Sequence, residues 1–277
     1  MNLIIQAPHA IAAANLDHLA SLVQSTRREQ IAEHAYRFSG ARQHAAIAPY
    51  CQSNRLDYGY VPDGRSLKDF GLLVMDMDST LISIECIDEI ADMQGLKPQV
   101  AAITEAAMRG EIDFAESLSR RVALLEGLDE NALQRVYDER LQLNPGAGIM
   151  LAKLKQHGIR TLLVSGGFEF FTERLKTRLG LDYTRANILE TARGKLTGKV
   201  LGKVFDAQGK ADWLVKIREE LGLKPDQVIA MGDGANDLKM MAQAGISIAY
   251  HAKPVVRAQA SYALNFSGLD GLVNLLM

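Results

Sequence analysis

The sequence predicts an α/β protein: a parallel sheet with helices on both faces, an all-helical insert after its first strand, and a small α/β module ahead of it. Three observations predict it. From Leu72 onward, short apolar runs alternate with amphipathic helical stretches, and strands of a parallel sheet covered on both faces read as such continuous runs. Residues 83–143 break that alternation, being helical in pattern almost throughout. Residues 1–70 show a different, mixed pattern and close on a cluster of Pro, Gly and charge.

Taken in order, "NLIIQA" reads as a short strand, "ANLDHLASLVQS" has helical spacing, and "AEHAYRFS" and "RLDYGYVP" read as strands. "VPDGRSLKDFG" then has the composition of a linker. We therefore divide the chain into a module at residues 1–70, a sheet-bearing core at 71–82 and 144–277, and a helical cap at 83–143. Core strands are expected in "LLVMDMD", "IRTLLVSGG", "DQVIAMGDG" and "GISIAY", with helices in "GIMLAKLKQHG", "FEFFTERLKTRLG", "KADWLVKIREELG" and "NDLKMMAQAG". The insert holds "ECIDEIADMQG", "KPQVAAITEAAMRG", "DFAESLSRRVALLEG" and "DENALQRVYDERLQ". Placed directly after the first strand, it would cover that strand's carboxyl edge and expel water from a site there.

The 277 residues are 48% hydrophobic and 23% charged with a net charge of −2, enough apolar material for one large domain or two modest ones. No Lys/Arg block stands out, and "STRREQ" at residues 25–30 reads as a solvated helix end, so no nucleic-acid partner is expected. Any anionic ligand must be small and held locally. Cys51 and Cys86 lack metal-type spacing, which points to inert thiols in a reducing compartment. The first residues carry no basic region, and Asp17 and His18 interrupt their apolar stretch. No signal peptide, membrane span or membrane partner is expected, and the compartment expected is the cytoplasm.

In an open α/β sheet, ligands bind beyond the carboxyl ends of the strands, and four such ends carry chemistry. "DMDST" places Asp76 and Asp78 at the end of an apolar strand. Strand alternation would put both carboxylates on one side, with Met77 pointing away. A turn with solvated acids is the plain reading of that pair; two hard oxygen ligands for Mg²⁺ is the functional one. "VSGGF" offers the Ser165 hydroxyl and the glycine amides at a helix start, an arrangement suited to an anion, although Ser/Gly turns before helices are common. Lys210 opens a helix, where the macrodipole disfavours a cation unless an anion sits nearby; Lys199 and Lys203 are its rivals in a strand-like stretch. "MGDGANDLKM" nearly imitates a dinucleotide-binding turn, but Asp233 and Asp237 stand where an acid would repel a pyrophosphate. An acid there, beside Asp76 and Asp78, completes a metal site instead. "GKLTGKV" fails the P-loop spacing.

The order "DMDST", "SGG", Lys, "GDGxND" resembles the haloacid dehalogenase superfamily of phosphatases from about Leu72 to the C-terminus. Within it, "ECIDE", "FAESLSRRVALLEG" and "HAKP" look most like the phosphoserine phosphatase family. The resemblance implies a Rossmann-like parallel-sheet core and hydrolysis of O-phospho-L-serine through an aspartyl-phosphate, the last step of serine biosynthesis. It makes Asp76 the nucleophile and Asp78 the general acid/base, with Mg²⁺ held by Asp76, the Asp78 carbonyl and Asp233. Ser165, Gly166 and Lys210 would hold the phosphoryl oxygens, and Asn236 would reach the same region. Asp237 would orient Lys210 or a metal-bound water. Glu85 and Arg121 would take the ammonium and carboxylate of the substrate through charge-assisted hydrogen bonds. Arg121 is preferred to Arg120 because it shares a helical face with Phe114, Leu118 and Leu125. Met108 and Phe114 are candidate pocket walls. Residues 1–70 are compatible with a degenerate ACT-like regulatory module, though without a clear glycine-rich ligand turn. Two other readings stay open: a phosphatase or phosphotransferase for another small phosphate ester, and a regulatory binding module without turnover. A homodimer is left open.

Overall fold

The computed structural model of the chain describes residues 1–277, the side chain of Met108 excepted. The expectation that Met108 walls a pocket lies outside the described residues. Strand β1 (Asn2–Gln6), helix α1 (Ala13–Leu22), strands β2 (Arg27–Ala32) and β3 (Ala35–Ser39), helix α2 (Ile47–Ser53) and strand β4 (Asp57–Val61) build an antiparallel sheet in the order β2-β3-β1-β4. This is the ferredoxin-like βαββαβ topology. Residues 27–30, expected in a solvated helix end, instead open β2. It is an edge strand whose residues 27–30 are all exposed, so no alternating apolar pattern marks it. Helix α2 is unmarked for a similar reason, since only Ile47 and Cys51 are buried on it.

The module is not merely tethered. Leu3, Ile5, Leu19 and Phe38 pack under its own helices, whereas Ile4 and Val61 point into the main core. Asp57, 1% exposed, accepts three backbone N–H bonds from Asn265 (2.7 Å), Phe266 (3.0 Å) and Ser267 (2.7 Å). Gly59 is required at this seam because a Cβ there would lie 2.5 Å from Leu275 Cδ2.

After β5 (Leu72–Asp76) come four helices, α3 (Cys86–Asp92), α4 (Lys97–Met108), α5 (Phe114–Ala123) and α6 (Asn131–Glu139). Asp113 caps α5 by accepting the Glu116 N–H. The chain continues through α7 (Ala147–Gln156), β6 (Arg160–Phe168), α8 (Glu169–Leu179), β7 (Tyr183–Ala192), β8 (Lys195–Leu201), α9 (Ala207–Glu220), β9 (Val228–Gly232), α10 (Leu238–Met241), β10 (Ile246–Tyr250), α11 (Pro254–Arg257), β11 (Tyr262–Leu264) and α12 (Gly271–Leu276). The second sheet runs β11-β10-β9-β5-β6-β7-β8, parallel throughout except for the β7–β8 pair. Both its faces are covered, as the unbroken apolar runs predict. Leu73 and Met75 join Met150 of α7 and Leu175 of α8, while Leu72 and Val74 join Leu214 of α9 and Met240 of α10.

Strands β7 and β8 form a hairpin that the sequence pattern only half revealed. Its two turn residues, Arg193 and Gly194, both have positive φ, the requirement of a type I′ turn. This hairpin fastens the cap. Gly127 N–H donates to Leu196 O (2.8 Å), Leu196 N–H to Leu128 O (2.8 Å), and Glu130 N–H to Gly194 O (3.0 Å). From α8, Arg174 adds a bond to Gln134 Oε1 of α6 (3.0 Å).

Candidate active site

Register puts the key strand ends level. Asp76 of β5 pairs with Val164 of β6, and Met75 pairs with Met231 of β9. Asp76, Ser165 and Asp233 therefore share the carboxyl edge of three adjacent strands. The strand stops at Asp76, however, so alternation does not place Asp78. Residues 77–81 form a tight turn with Ser79 at φ 56, and this turn swings the Asp78 carboxylate toward β6 and the cap. Asp78 Oδ1 accepts the Cys86 N–H at the start of α3 (2.9 Å), and Oδ2 accepts the Ser165 hydroxyl (3.1 Å). Ser165 Oγ in turn accepts the Gly167 N–H (2.8 Å).

Lys210 is 1% exposed, not a solvated lysine at a helix start. Asp206 caps that helix by accepting the Gly209 N–H, and Lys210 lies one residue on. Its Nζ reaches Asp76 Oδ1 (2.7 Å) and Asp237 Oδ1 (2.8 Å). The rivals Lys199 and Lys203 are exposed. Asp237 is fully engaged, since Oδ2 also accepts the N–H groups of Asp233 (3.2 Å) and Gly234 (3.1 Å). Of its two expected roles, orienting Lys210 is the one its bonds display. Asn236 lies in the turn 235–237 with its side chain folded against Gly234, and it makes no hydrogen bond to the cluster among the described residues.

Asp76, Asp233 and Asp237 offer carboxylate oxygens within 4.8 Å of one another. The Asp78 side chain is not part of that group; both of its oxygens are engaged by Cys86 and Ser165. Asp76 Oδ1 is occupied by the Met77 N–H and by Lys210, and Asp233 Oδ1 by the Thr80 hydroxyl (3.3 Å). The second oxygen of each carries no hydrogen bond among the described residues. Four carboxylates against one buried ammonium leave surplus negative charge. Burial, then Asp237, pushes Asp76 well above the carboxylate range against the pull of Lys210. Burial likewise raises Asp78, and burial followed by Asp237 lifts Asp233 to about 6. Burial works against the Lys210 ammonium, but Asp237 and Asp76 outweigh it and raise its pKa. Such a crowded set of hard oxygens fits a divalent cation like Mg²⁺.

The cap supplies the other wall. Glu85 precedes α3 and accepts the Ser79 hydroxyl (2.7 Å). Partial desolvation, then Asp78, pushes its carboxyl up to about 7, while water reaching this exposed residue screens that push. Arg121 is half-buried; burial lowers its pKa against the opposing pull of Asp88, Glu85 and Asp78. Arg120 is exposed and bound to Glu116 (2.5 Å), so of the two arginines Arg121 is the one turned to the acids. Phe114 lies over the glycine turn, where a Cβ on Gly166 would sit 2.9 Å from Phe114 Cζ. In "HAKP", the Lys253 N–H donates to Asp233 O (3.0 Å) and His251 Nε2 lies 3.0 Å from Ser267 O. Thr80 and Asn144 were not expected. Thr80 is fully buried under Asp233, and Asn144 holds the Thr80 and Ile82 carbonyls (2.7 and 3.1 Å). "DMDST" displays Thr80, but no local signal marks Asn144.

The chain is similar to known proteins over most of its length. The haloacid dehalogenase-like hydrolase family matches residues 73–242, and a domain of unknown function matches residues 3–47. The chain belongs to the haloacid dehalogenase-like hydrolases. A phosphoserine phosphatase of Polaromonas sp. (strain JS666 / ATCC BAA-500) is 56% identical to this hydrolase over 215 residues, covering 76% of this chain and 91% of the relative. The unliganded structure of a probable phosphoserine phosphatase from Vibrio cholerae superposes with a TM-score of 0.87 at 38% identity, covering 99% of this chain and 85% of that one. A phospho-aspartyl intermediate analogue of a phosphoserine phosphatase superposes with a TM-score of 0.70 at 37% identity, over 75% of this chain and 99% of that one. The hydrolase matches the Vibrio structure along almost its whole length, N-terminal module included.

Proposed function

We propose that this hydrolase cleaves O-phospho-L-serine to L-serine and phosphate through an aspartyl-phosphate, an acyl phosphate on Asp76, the last step of serine biosynthesis. The observation that carries the reading is the pairing of Asp76 with the fully buried Lys210 at a strand end, with Asp78 and Ser165 joined across the same cleft. Relatives named for phosphoserine, one of them an aspartyl-phosphate analogue, support it. Asp76 attacks phosphorus and the seryl oxygen leaves. Asp78, within hydrogen-bond reach of Ser165 across the cleft, gives a proton to that oxygen and later takes one from the attacking water. Lys210, the Ser165 hydroxyl and the Gly166 amide hold the phosphoryl oxygens, with Asn236 alongside.

Mg²⁺ would be held by Asp76, Asp233 and the Asp78 carbonyl, and would offset phosphoryl charge when bound. Asp237 keeps Lys210 aimed. Glu85 receives the substrate ammonium and Arg121 its carboxylate, with Phe114 closing the side of the pocket over Gly166. The free, buried Cys51 and Cys86 fit a reducing compartment, the cytoplasm; among the described residues no helix is long and apolar enough to cross a membrane. The division at residues 70/71, 82/83 and 143/144 and an ACT-like module at 1–70 belong to the same proposal. The βαββαβ topology supports the module, and titrating activity with serine tests whether it regulates.

Asp76→Asn should reduce phosphoserine turnover to background while the protein stays folded; surviving turnover would remove Asp76 as nucleophile. Glu85→Ala and Arg121→Ala should each raise KM for phosphoserine on the order of 10-fold or more, the worth of a charge-assisted hydrogen bond. They should leave p-nitrophenyl phosphate hydrolysis near wild type. A panel of small phosphate esters showing no preference for phosphoserine would shift the substrate assignment.

A further inference from the structure

Asn187 plays no part in the chemistry above, yet it touches both halves of the phosphate site. It stands where β7 stops pairing with β6 and starts its hairpin with β8. Its side chain is 2% exposed. Nδ2 donates to Gly166 O (2.9 Å) and Phe205 O (3.1 Å), while Oδ1 accepts the Phe205 N–H (2.6 Å). Both amide donors and the acceptor are thus used. With Phe205 the side chain exchanges a pair of bonds as a neighbouring strand would. One amide therefore ties the turn 165–167 to the segment that launches α9.

From Phe205 the path to Lys210 is short and stiff. Asp206 caps α9, and its carbonyl accepts the Lys210 N–H (3.0 Å). Gly209 lies against the Phe205 ring so closely that a Cβ would fall 2.7 Å from Cδ2. A shift of Phe205 must therefore move the helix start that carries Lys210.

We propose that Asn187 is a positioning residue for phosphoryl transfer: it fixes the distance between the Gly166 amide turn and the Lys210 ammonium, the two groups that would grip opposite sides of the phosphoryl group. The inference rests on the reading of the site given above. Without the strut the turn and the helix drift apart, and misplacements of about 1 Å can cost on the order of 100-fold in rate.

The test compares wild type with Asn187→Asp, an isosteric change that keeps the accepted bond and loses the two donated ones, and with Asn187→Ala. The readouts, taken per folded molecule, are kcat and KM on phosphoserine and on p-nitrophenyl phosphate, and the rise in melting temperature given by inorganic phosphate with Mg²⁺. Expected are a fall in kcat of roughly 10- to 100-fold on both esters, a loss of the phosphate-induced rise, and an unchanged ratio of kcat/KM between the esters, because Glu85 and Arg121 are untouched. Wild-type kcat and an undiminished phosphate effect in folded Asn187→Asp would overturn the inference, whatever its melting temperature. A changed ester ratio without a kcat loss would also overturn it. If Asn187→Ala does not fold, Asn187→Asp and Asn187→Ser decide by the same criteria. A wild-type protein that hydrolyses neither ester would overturn the functional reading itself, and that is seen before any variant is compared.

Discussion

Lys210 is the side chain on which the site's charge balance turns. Among the described residues it is the one ammonium buried among Asp76, Asp78, Asp233 and Asp237. Removing one partner of a buried ion pair strands the other charge, so Lys210→Met should destabilise the protein by about 3 kcal/mol in urea unfolding. An exposed lysine such as Lys199 should change it by less than about 0.5 kcal/mol. Gly166→Ala makes a sharper local prediction. Its Cβ would meet the Phe114 ring, so the cap should seat less closely and KM for phosphoserine should rise with little loss of melting temperature. The residues legible in sequence were those whose chemistry contradicts their place: acids ending an apolar strand, a lysine opening a helix. Asn144 and Asn187 were illegible because what they hold lies 62–64 and 18–21 residues away.

The β7–β8 hairpin is the element that joins sheet and cap. Three backbone hydrogen bonds bind it to residues 127–130, so cap and hairpin should open together. In hydrogen exchange, the amides of Gly127, Leu196 and Glu130 should show one common protection level, apart from that of β5. Gly198 supports this seam with φ +76, and a Cβ there would lie 3.0 Å from Glu126 Cβ and 3.3 Å from the Ala123 backbone. Gly198→Ala should therefore cost about 1–2 kcal/mol of stability, measurable as a lowered melting temperature. The fully buried strands β5 and β9 were readable from their unbroken apolar runs, and α9 from its helical spacing. The edge strand β2 was not, because its residues 27–30 meet water on both faces. The hairpin turn was missed because Arg-Gly supplies its positive φ values in place of the commoner Asn-Gly.

Across the whole molecule, buried ionisable groups on both sides of the seam between the N-terminal module and the core set an alkaline limit. Burial, then Asp57, raises Cys51 to about 12, and burial, then Asp270 and Asp57, raises Tyr250 to about 12. The unfolded chain releases these protons from about pH 9 and pH 10, where the folded chain keeps them. Stability is thus fully present below pH 9 and is lost as pH rises toward 12. Urea midpoints measured across that window should fall, and Tyr250→Phe should flatten the decline. Asp57→Ala, which strands three backbone N–H groups, should cost about 3 kcal/mol. The same carboxylate has a consequence for dissection. Residues 62–66 invite a protease, yet a cut there severs no bond that Asp57, Ile4 or Val61 makes. The nicked protein should therefore elute from a sizing column as one particle at the mass of the intact chain, and its fragments should separate only in denaturant.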